Sequence, residues 1–290
     1  MNCMGTSHRH KASIVGQPNW GESSAAVTGI AGDIMKEEEL NDQLQKPQTP
    51  KQKVQTQKKL SAIDKRVRSN YHKSVRNLVR AAGGRLRVSS GSSHAVGFAG
   101  ISIANGFINT FNEIVSNGLD AWLKRKGVDT LHGKSCREVL DLIRSYIDYD
   151  ITGLDDTAAN EALEHVMATL ENRIGDDIEK FDEVMGNILS GEEIKDILDE
   201  FFGIYIYSNL SQDFSEKLEY EKGTGIMLQT MSEIKELILE DVKFGIQKRP
   251  AEQIDWTSPE SQVYIQKEFD RILFILSGDE DKDNNLPVYN

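Results

Sequence analysis

The sequence contains few residues whose types and spacing suit catalysis. Cys136 lies in the run Gly133-Lys134-Ser135-Cys136-Arg137, where a neighbouring cation can lower the pKa of a thiol and favour the nucleophilic thiolate. No histidine stands at a spacing that implies a base for this thiol, so a small residue in the first turn of a helix is the favoured interpretation. The run also ends like a phosphate-binding loop, but the first glycine of such a loop is missing. Nucleotide binding of that type is therefore excluded.

A metal site would require histidine, cysteine or acidic side chains at ligand spacing. His8 and His10 stand near Cys3, but a fourth ligand is missing, and the sequence predicts no metal site. Adjacent carboxylates occur where helices are predicted to start, and the helix dipole stabilises acidic groups there. These pairs are Asp155-Asp156, Asp176-Asp177 and Glu192-Glu193. These motifs therefore predict no catalytic residue and no cofactor, and they do not identify an enzyme.

Residues 58–82 carry apolar side chains at helical spacing opposite a basic face. This face is a candidate nucleic-acid interface, because lysines and arginines displace the counterions of a phosphate backbone. The candidate residues, including two in the following loop, are Lys65, Arg66, Arg68, Lys73, Arg76, Arg80, Arg85 and Arg87. The alternative is that the helix lies against an acidic body or is solvated, and we favour it because no aromatic platform accompanies the charge.

Net charge divides the chain into two unlike parts. The 290 residues have a formal net charge of −12. Residues 1–90 hold 16 Lys and Arg against 7 Asp and Glu, a balance of +9, whereas residues 91–290 hold 18 against 39, a balance of −21. The two parts therefore face different partners or each other. Two cysteines and the lack of an apolar N-terminal run predict a cytoplasmic protein.

The stretch of residues 92–125 gives the strongest periodic signal in the sequence. Apolar residues recur every three or four positions, which predicts a long, buried central helix. Ser92 and Ser93 supply hydroxyl oxygens for its first N–H groups, and Gly127 follows its last turn. Unbroken, this helix would be roughly 50 Å long.

Small residues are crowded into the first half of this stretch. Each glycine inside a helix costs about 1 kcal/mol relative to alanine, so we expect another backbone to approach closely there. The glycines are Gly97, Gly100 and Gly106. A membrane-disrupting segment over residues 95–111 is the alternative, since this run carries no charge. At about 17 residues it is at the short limit for a span, so the core helix is favoured and no membrane partner is expected.

Further segments with helical periodicity lie on both sides of this stretch. They are predicted at residues 23–35, 135–149, 155–174, 176–189, 191–202, 225–243 and 258–276. We interpret residues 203–207 as a connection between helices. The predicted fold class is mostly α, a multi-helix bundle with a long central helix, preceded by a flexible N-terminal arm.

The predicted domain organisation follows from composition. The Gln-, Lys- and Pro-containing residues 36–57 have the composition of a disordered linker. The linker divides an extended tail with a short helix at 1–35 from a helical domain at 58–278. An acidic C-terminal tail follows at 279–290.

The first twenty residues have neither a helical nor an alternating apolar pattern, which predicts an exposed arm. They contain the runs Met4-Gly5-Thr6-Ser7-His8-Arg9-His10-Lys11 and Gly16-Gln17-Pro18-Asn19-Trp20 with Gly21 following. These runs, with the Gly-, Ala- and Ser-rich residues at 83–84 and 89–106, resemble the QatB proteins of the Qat antiphage systems.

The resemblance implies a non-enzymatic defence component that works with an ATPase, the synthase-like QatC protein and a TatD-like nuclease. Proteins similar to 7-cyano-7-deazaguanine synthase activate a deazaguanine carboxylate with ATP for attack by an amine. We hypothesise that the α-amino group of Gly5 is that amine, since glycine has no Cβ and an α-amino pKa of about 7.7–8.0 leaves some neutral amine. This requires translation from Met4 and removal of that methionine. The residues expected to bind the partner or be modified are Gly5, Thr6, Ser7, His8, Arg9, His10, Pro18, Asn19 and Trp20.

Overall fold

Helices account for the regular structure of the described chain. The structure, a computed structural model, describes residues 20–128, 133–147, 153–175, 178–190, 193–244 and 255–278. The helices are α1 (Gly21–Leu44), α2 (Pro50–Ala81), α3 (Arg85–Ser89), α4 (Phe98–Asn117), α5 (Leu119–Arg125), α6 (Cys136–Ile147), α7 (Leu154–Ile174), α8 (Phe181–Ser190), α9 (Glu193–Lys222), α10 (Thr224–Phe244) and α11 (Glu260–Leu276), with a 3₁₀ turn at Ile178–Lys180. Within these ranges there is no β-strand. The prediction of a mostly α fold is confirmed.

Helices α1 and α2 pack together as a hairpin joined by residues 45–49. The structure differs here from the predicted disordered linker at 36–57, most of which is helical. Helix α2 starts with a capping box, in which Thr49 and Gln52 each accept a hydrogen bond from the other's N–H, and Pro50 occupies the first position. Most side chains of α1 and α2 near this turn are exposed, so the segment is polar and lacks the apolar pattern that predicts a helix.

Helix α4 occupies the middle of the core and contacts helices α5 to α9 and α11. One face is completely buried, including Ile103, Phe111 and Ile114. The long central helix predicted at residues 92–125 is not continuous, because Gly118 adopts a φ of 83° and separates α4 from α5. The N–H of Leu119, freed at this break, donates to the Asp182 carboxylate at 3.0 Å.

Side chains from α7 and α9 hold the start of α4. The Asp155 carboxylate accepts hydrogen bonds from the N–H of Ala99 at 2.9 Å and of Gly97 at 3.3 Å. The Tyr205 hydroxyl donates to the same carboxylate and accepts from Gly97 N–H. Burial raises the pKa of Asp155, although these hydrogen bonds oppose the shift. The predicted Ser92 and Ser93 caps are therefore wrong, since a residue more than fifty positions away supplies the cap.

The glycines of this region allow two close approaches. Gly97 has a φ of 123°, and a Cβ there would lie 2.3 Å from the Val88 carbonyl oxygen, so a backbone does approach as predicted. At Gly100 the neighbour is an aromatic ring instead, because a Cβ would lie 2.7 Å from Cε1 of Tyr205. The small residues thus allow α3 and α9 to pack closely against the start of α4.

Residues 203–207, predicted as a connection, lie in the middle of α9. Ile204, Tyr205 and Ile206 are all buried. A helix that is buried on several sides lacks an amphipathic period. The prediction was wrong for this reason.

Candidate functional site

The N-terminal candidate residues join the described chain at Trp20. The others, which lie outside the described residues, are Gly5, Thr6, Ser7, His8, Arg9, His10, Pro18 and Asn19. The Trp20 side chain is 1% exposed and belongs to the hydrophobic core. Its carbonyl accepts a hydrogen bond from Ser24 N–H at 2.9 Å, the first of α1. Trp20 is therefore packed within the helical body and is not accessible to a partner, whereas partner binding by the other eight residues stays a prediction.

Polar contacts fix the first turn of α1 against two other helices. Ser23 Oγ donates to the Ser74 carbonyl on α2 at 2.7 Å. Lys217 Nζ on α9 donates to Ser24 Oγ at 2.7 Å. The described chain consequently begins beside the C-terminal half of α2.

Two arginines in the middle of α2 form ion pairs with neighbouring helices. Arg66 donates through Nε and Nη2 to one Asp33 oxygen on α1, at 3.0 and 2.9 Å. Arg68 pairs with Glu240 on α10 at 3.0 Å and also with Asp241. Both arginines therefore stabilise the packing of α2, and their charge is partly neutralised within the body.

Arginines in and after the last turns of α2 contact helix α11. The Arg76 guanidinium donates to the carbonyl oxygens of Ser277 and Gly278, the latter at 3.4 Å. Arg85 Nε lies 3.3 Å from the Asp270 carboxylate. These contacts support the favoured alternative, in which the basic helix lies against the acidic body.

The remaining candidates are the most accessible cations of the set. Lys65, Lys73 and Arg87 are exposed and form no ion pair with a described residue. Arg80 lies 3.8 Å from Glu22, with both side chains 70% exposed, and such a pair contributes little. Because Lys65, Lys73, Arg76 and Arg80 recur at helical spacing, they share one side of α2. We call these four residues the basic stripe; nucleic-acid binding there stays a prediction.

Comparison with protein families adds an independent observation. A family model described as Qat anti-phage system associated protein QatB matches residues 89–275, more than half of the 290 residues. The chain belongs to the QatB family. Its membership makes it a component of a Qat anti-phage system, and the resemblance inferred from the sequence is confirmed. No curated protein and no solved structure matches the chain.

The QatB match does not include the candidate residues. The two N-terminal runs and all eight basic residues precede residue 89. The match instead covers α4 to α10 and nearly all of α11. QatB membership thus rests on the helical body, and the specific roles of the N-terminal residues require their own tests.

The Ser135 and Cys136 motif inside the QatB match starts a helix. Ser135 and Glu138 form a reciprocal cap, in which Glu138 accepts the Ser135 N–H at 2.7 Å and Ser135 Oγ accepts the Glu138 N–H at 3.2 Å. The N–H and the hydroxyl of Ser135 both donate to the Glu138 carboxylate, and these two hydrogen bonds lower its pKa. Cys136 is 4% exposed in the first turn of α6, as the structural interpretation predicted.

A buried cluster of charges in the QatB-matched region escaped the sequence analysis. The Arg271 guanidinium on α11 contacts the carboxylates of Asp199 on α9 and of Glu268, and all three side chains are below 10% exposed at 7%, 9% and 8%. Burial raises the pKa of Asp199 to about 8, and the neighbouring Glu268 carboxylate adds to this effect, whereas Arg271 opposes it. The sequence offers only a weak sign of this cluster, because its charged residues interrupt apolar runs in two distant segments, α9 and α11. The cluster joins α9 to α11.

Metal sites and membrane-spanning helices are both absent from the described ranges. No group of three or more His, Cys, Asp or Glu side chains is arranged there to hold a metal ion. None of the helices described combines the length and the apolar content needed to cross a membrane. Most apolar side chains of residues 95–111, including Ile103 and Phe107, are buried in the core, whereas Phe98 is exposed. A membrane-disrupting role would therefore require this core to open.

Proposed function

We propose that residues 5–19 bind the synthase-like QatC protein while the helical body holds them at a defined point. Membership of the QatB family supports the choice of partner, and the burial of Trp20 carries the proposal structurally. A partner that binds the segment is linked through Trp20 to the whole body. Gly5 precedes Trp20 by 15 residues, a contour of at most about 50 Å. We further propose that the protein is cytoplasmic and has no catalytic activity of its own.

The proposed modification of Gly5 is an acyl transfer. QatC would use ATP to convert a deazaguanine carboxylate into an acyl group with a phosphate-containing leaving group. The neutral α-amine of Gly5 attacks the acyl carbon, the bond to the leaving group breaks and an amide bond forms. One proton passes from the amine to solvent. The amine must first be exposed by a start at Met4 and removal of that methionine.

A pulldown with QatC tests the binding step. The informative variant lacks residues 1–19 but retains Trp20, since removing this buried tryptophan would disturb the core as well. We expect deletion to abolish capture of QatC, because the proposed contact residues are lost. The matched control lacks residues 279–290 and should capture QatC normally. Undiminished capture after the N-terminal deletion would reject the proposal.

Intact-mass measurement tests the modification separately. Protein from cells with QatC should carry the mass of one deazaguanine acyl group on a chain that begins at Gly5, and protein from cells without QatC should not. Gly5→Val should bind QatC but remain unmodified, since a branched side chain beside the α-amine would hinder its approach to the acyl carbon. Ser7→Val is the control and should still be modified. An unprocessed and unmodified N-terminus in both cell types would contradict the conjugation. The binding of QatC would still be decided by the pulldown.

A nucleic-acid-binding adaptor is the second candidate, supported by the exposure of Lys65 and Lys73. Reversing these two charges removes accessible cations without breaking a described contact, whereas changing Arg76 would also release the end of α11. Binding of DNA or RNA by this surface should weaken steeply with salt and after Lys65→Glu with Lys73→Glu. Salt-independent binding, or binding unaffected by both reversals, excludes this surface.

A further inference from the structure

Two exposed aromatic side chains lie at the junction between α3 and α4. The rings of His94 and Phe98 are both exposed, and their centroids are 4.6 Å apart. Phe98 is 43% exposed, although the helix that it begins occupies the middle of the core. The sequence gave no sign of an aromatic platform beside the basic residues of α2, and the structure supplies one.

Short-range hydrogen bonds hold the two rings at the surface. Phe98 N–H donates to the Ser93 carbonyl at 3.0 Å, which closes a turn and brings the Phe98 ring beside that of His94. Ser93 is buried, and its Oγ donates to the Ala82 carbonyl at the end of α2, at 2.7 Å. The rings are therefore positioned before any ligand binds, which lowers the entropic cost of binding.

Two exposed arginines flank this pair of rings. Ser92 N–H donates to the Arg87 carbonyl at 3.0 Å, so at most about 10 Å of backbone separates Arg87 from His94. The Arg87 side chain lies beside the turn after α2, since a Cβ at Gly83 would meet its Cδ at 3.2 Å. Arg80, three residues before this turn, is 70% exposed. The surface is not balanced by nearby acids in the sequence, because no Asp or Glu occurs at residues 65–112.

We propose that Arg80, Arg87, His94 and Phe98 bind single-stranded nucleic acid, and we call these four residues the stacking site. A nucleobase packs on the exposed Phe98 ring, because every base has a flat π-face that stacks on an aromatic side chain. The two guanidinium groups bind neighbouring phosphates of the same strand. A duplex keeps its base faces within its own stack, so the site favours single strands.

This inference extends the second candidate function to other side chains. Arg80 ends the basic stripe, whereas Lys73 and Lys65 lie about 10 and 22 Å from it along α2. Charge along the stripe attracts the phosphates of a duplex or a single strand alike. The stacking site adds a dependence on the bases, which can be measured separately.

Fluorescence anisotropy of the full-length protein with a labelled oligothymidylate tests the stacking. Phe98→Ala should weaken binding about tenfold, the loss expected for one stacked base. Binding of an abasic strand of equal length should not change, since that strand has phosphates but no bases. Phe98→Leu keeps the apolar bulk without a flat ring and should also weaken oligothymidylate binding, whereas Phe98→Tyr should retain it. Unchanged binding by both the alanine and leucine variants, or equal affinity of the parent protein for intact and abasic strands, would overturn the inference.

The phosphate contact is tested by the salt dependence of the same binding. Arg87→Gln should reduce the slope of log Kd against log salt by about 0.7, the contribution of one phosphate contact on a single strand. Lys58→Gln is the matched control, because Lys58 is also exposed but lies about 33 Å from Arg80 along α2. An equal reduction by both variants would show that binding has no defined site.

Two other outcomes separate this site from the surfaces proposed above. Weaker binding after Lys65→Glu with Lys73→Glu, but not after Phe98→Ala, would confine nucleic acid to the basic stripe and reject the stacking site. Loss of QatC capture by Phe98→Ala, with oligothymidylate binding unchanged, would identify a protein interface instead.

Discussion

Substitution of Gly100 by alanine should destabilise the protein through the ring of Tyr205. A Cβ at this position would lie 2.7, 2.8 and 3.0 Å from three ring carbons, well inside the about 3.5–4.0 Å at which carbon atoms normally touch. The ring cannot move freely. It is fully buried, packs edge-on against Phe269 with centroids 5.8 Å apart, and its hydroxyl contacts Asp155 and Gly97.

The magnitude follows from two destabilising contributions and one stabilising contribution. Overpacking of a core costs about 1–3 kcal/mol, and loss of a buried hydrogen bond to a charged group adds about 1.5–3 kcal/mol if the ring shifts. Alanine offsets about 1 kcal/mol of this through its higher helix propensity. We therefore expect Gly100→Ala to lower the free energy of unfolding by about 2 kcal/mol, or the Tm by about 4–8 °C.

Urea unfolding followed by far-UV circular dichroism measures this change. Gly32→Ala is the matched control, because Gly32 also lies inside a helix but a Cβ there meets no atom within 4 Å. The control should be more stable than the parent protein by up to about 1 kcal/mol. If Gly100→Ala were as stable as Gly32→Ala, the assignment of Gly100 to ring packing would be wrong.

Three further predictions concern buried groups. An aspartate has a pKa of about 3.9 in the unfolded chain, whereas the pKa of Asp199 in the folded protein is raised to about 8. Between these values the folded state retains a proton that the unfolded state has released, so the free energy of unfolding falls with rising pH by at most about 1.4 kcal/mol per unit. Asp199→Asn should flatten this decline in urea midpoints, and an equally steep decline in the variant would contradict the prediction. Tyr205→Phe removes a hydroxyl bonded to Asp155 and should cost about 1–3 kcal/mol in thermal or urea unfolding, whereas no loss would show that the buried carboxylate does not need this donor. Trp20→Ala should cost about 3–5 kcal/mol, but Trp20→Phe much less, since Trp20 Nε1 has no hydrogen-bond partner among the described residues; equal losses in denaturation assays would refute a purely apolar anchor.

Periodic apolar patterns predicted the helices whose one face is buried. Helix α10 was predicted at 225–243 and extends from Thr224 to Phe244. Helix α11 ends at Leu276, as its pattern indicated. The same reasoning failed at Tyr205, where burial on several sides removes the period. It also failed at 36–57, although the Thr49-Pro50 start and Gln52 formed a readable helix signal.

Long-range contacts were beyond the reach of pattern analysis. Sequence predicted a basic face on α2, but it could not show that Arg66 and Arg68 pair with α1 and α10 while Lys65 and Lys73 remain exposed. Nor could the sequence show that Asp155 caps the start of α4, because Asp155 lies 56 positions after Ala99 in the chain. Trp20 illustrates the same limit, because a lone tryptophan after a polar run gives no sign that the core covers it.

The contacts of Glu22 with Arg80 and of Gly278 with Arg76 have a practical consequence for labelling. The described chain thus begins beside and ends against the same short portion of α2, so a label inserted directly next to Trp20 or to Gly278 would lie close to that portion in either case. The turn at 45–49 is a better insertion point. It lies about 40 Å from Arg76 along the helix axis, and a label there leaves both termini unencumbered.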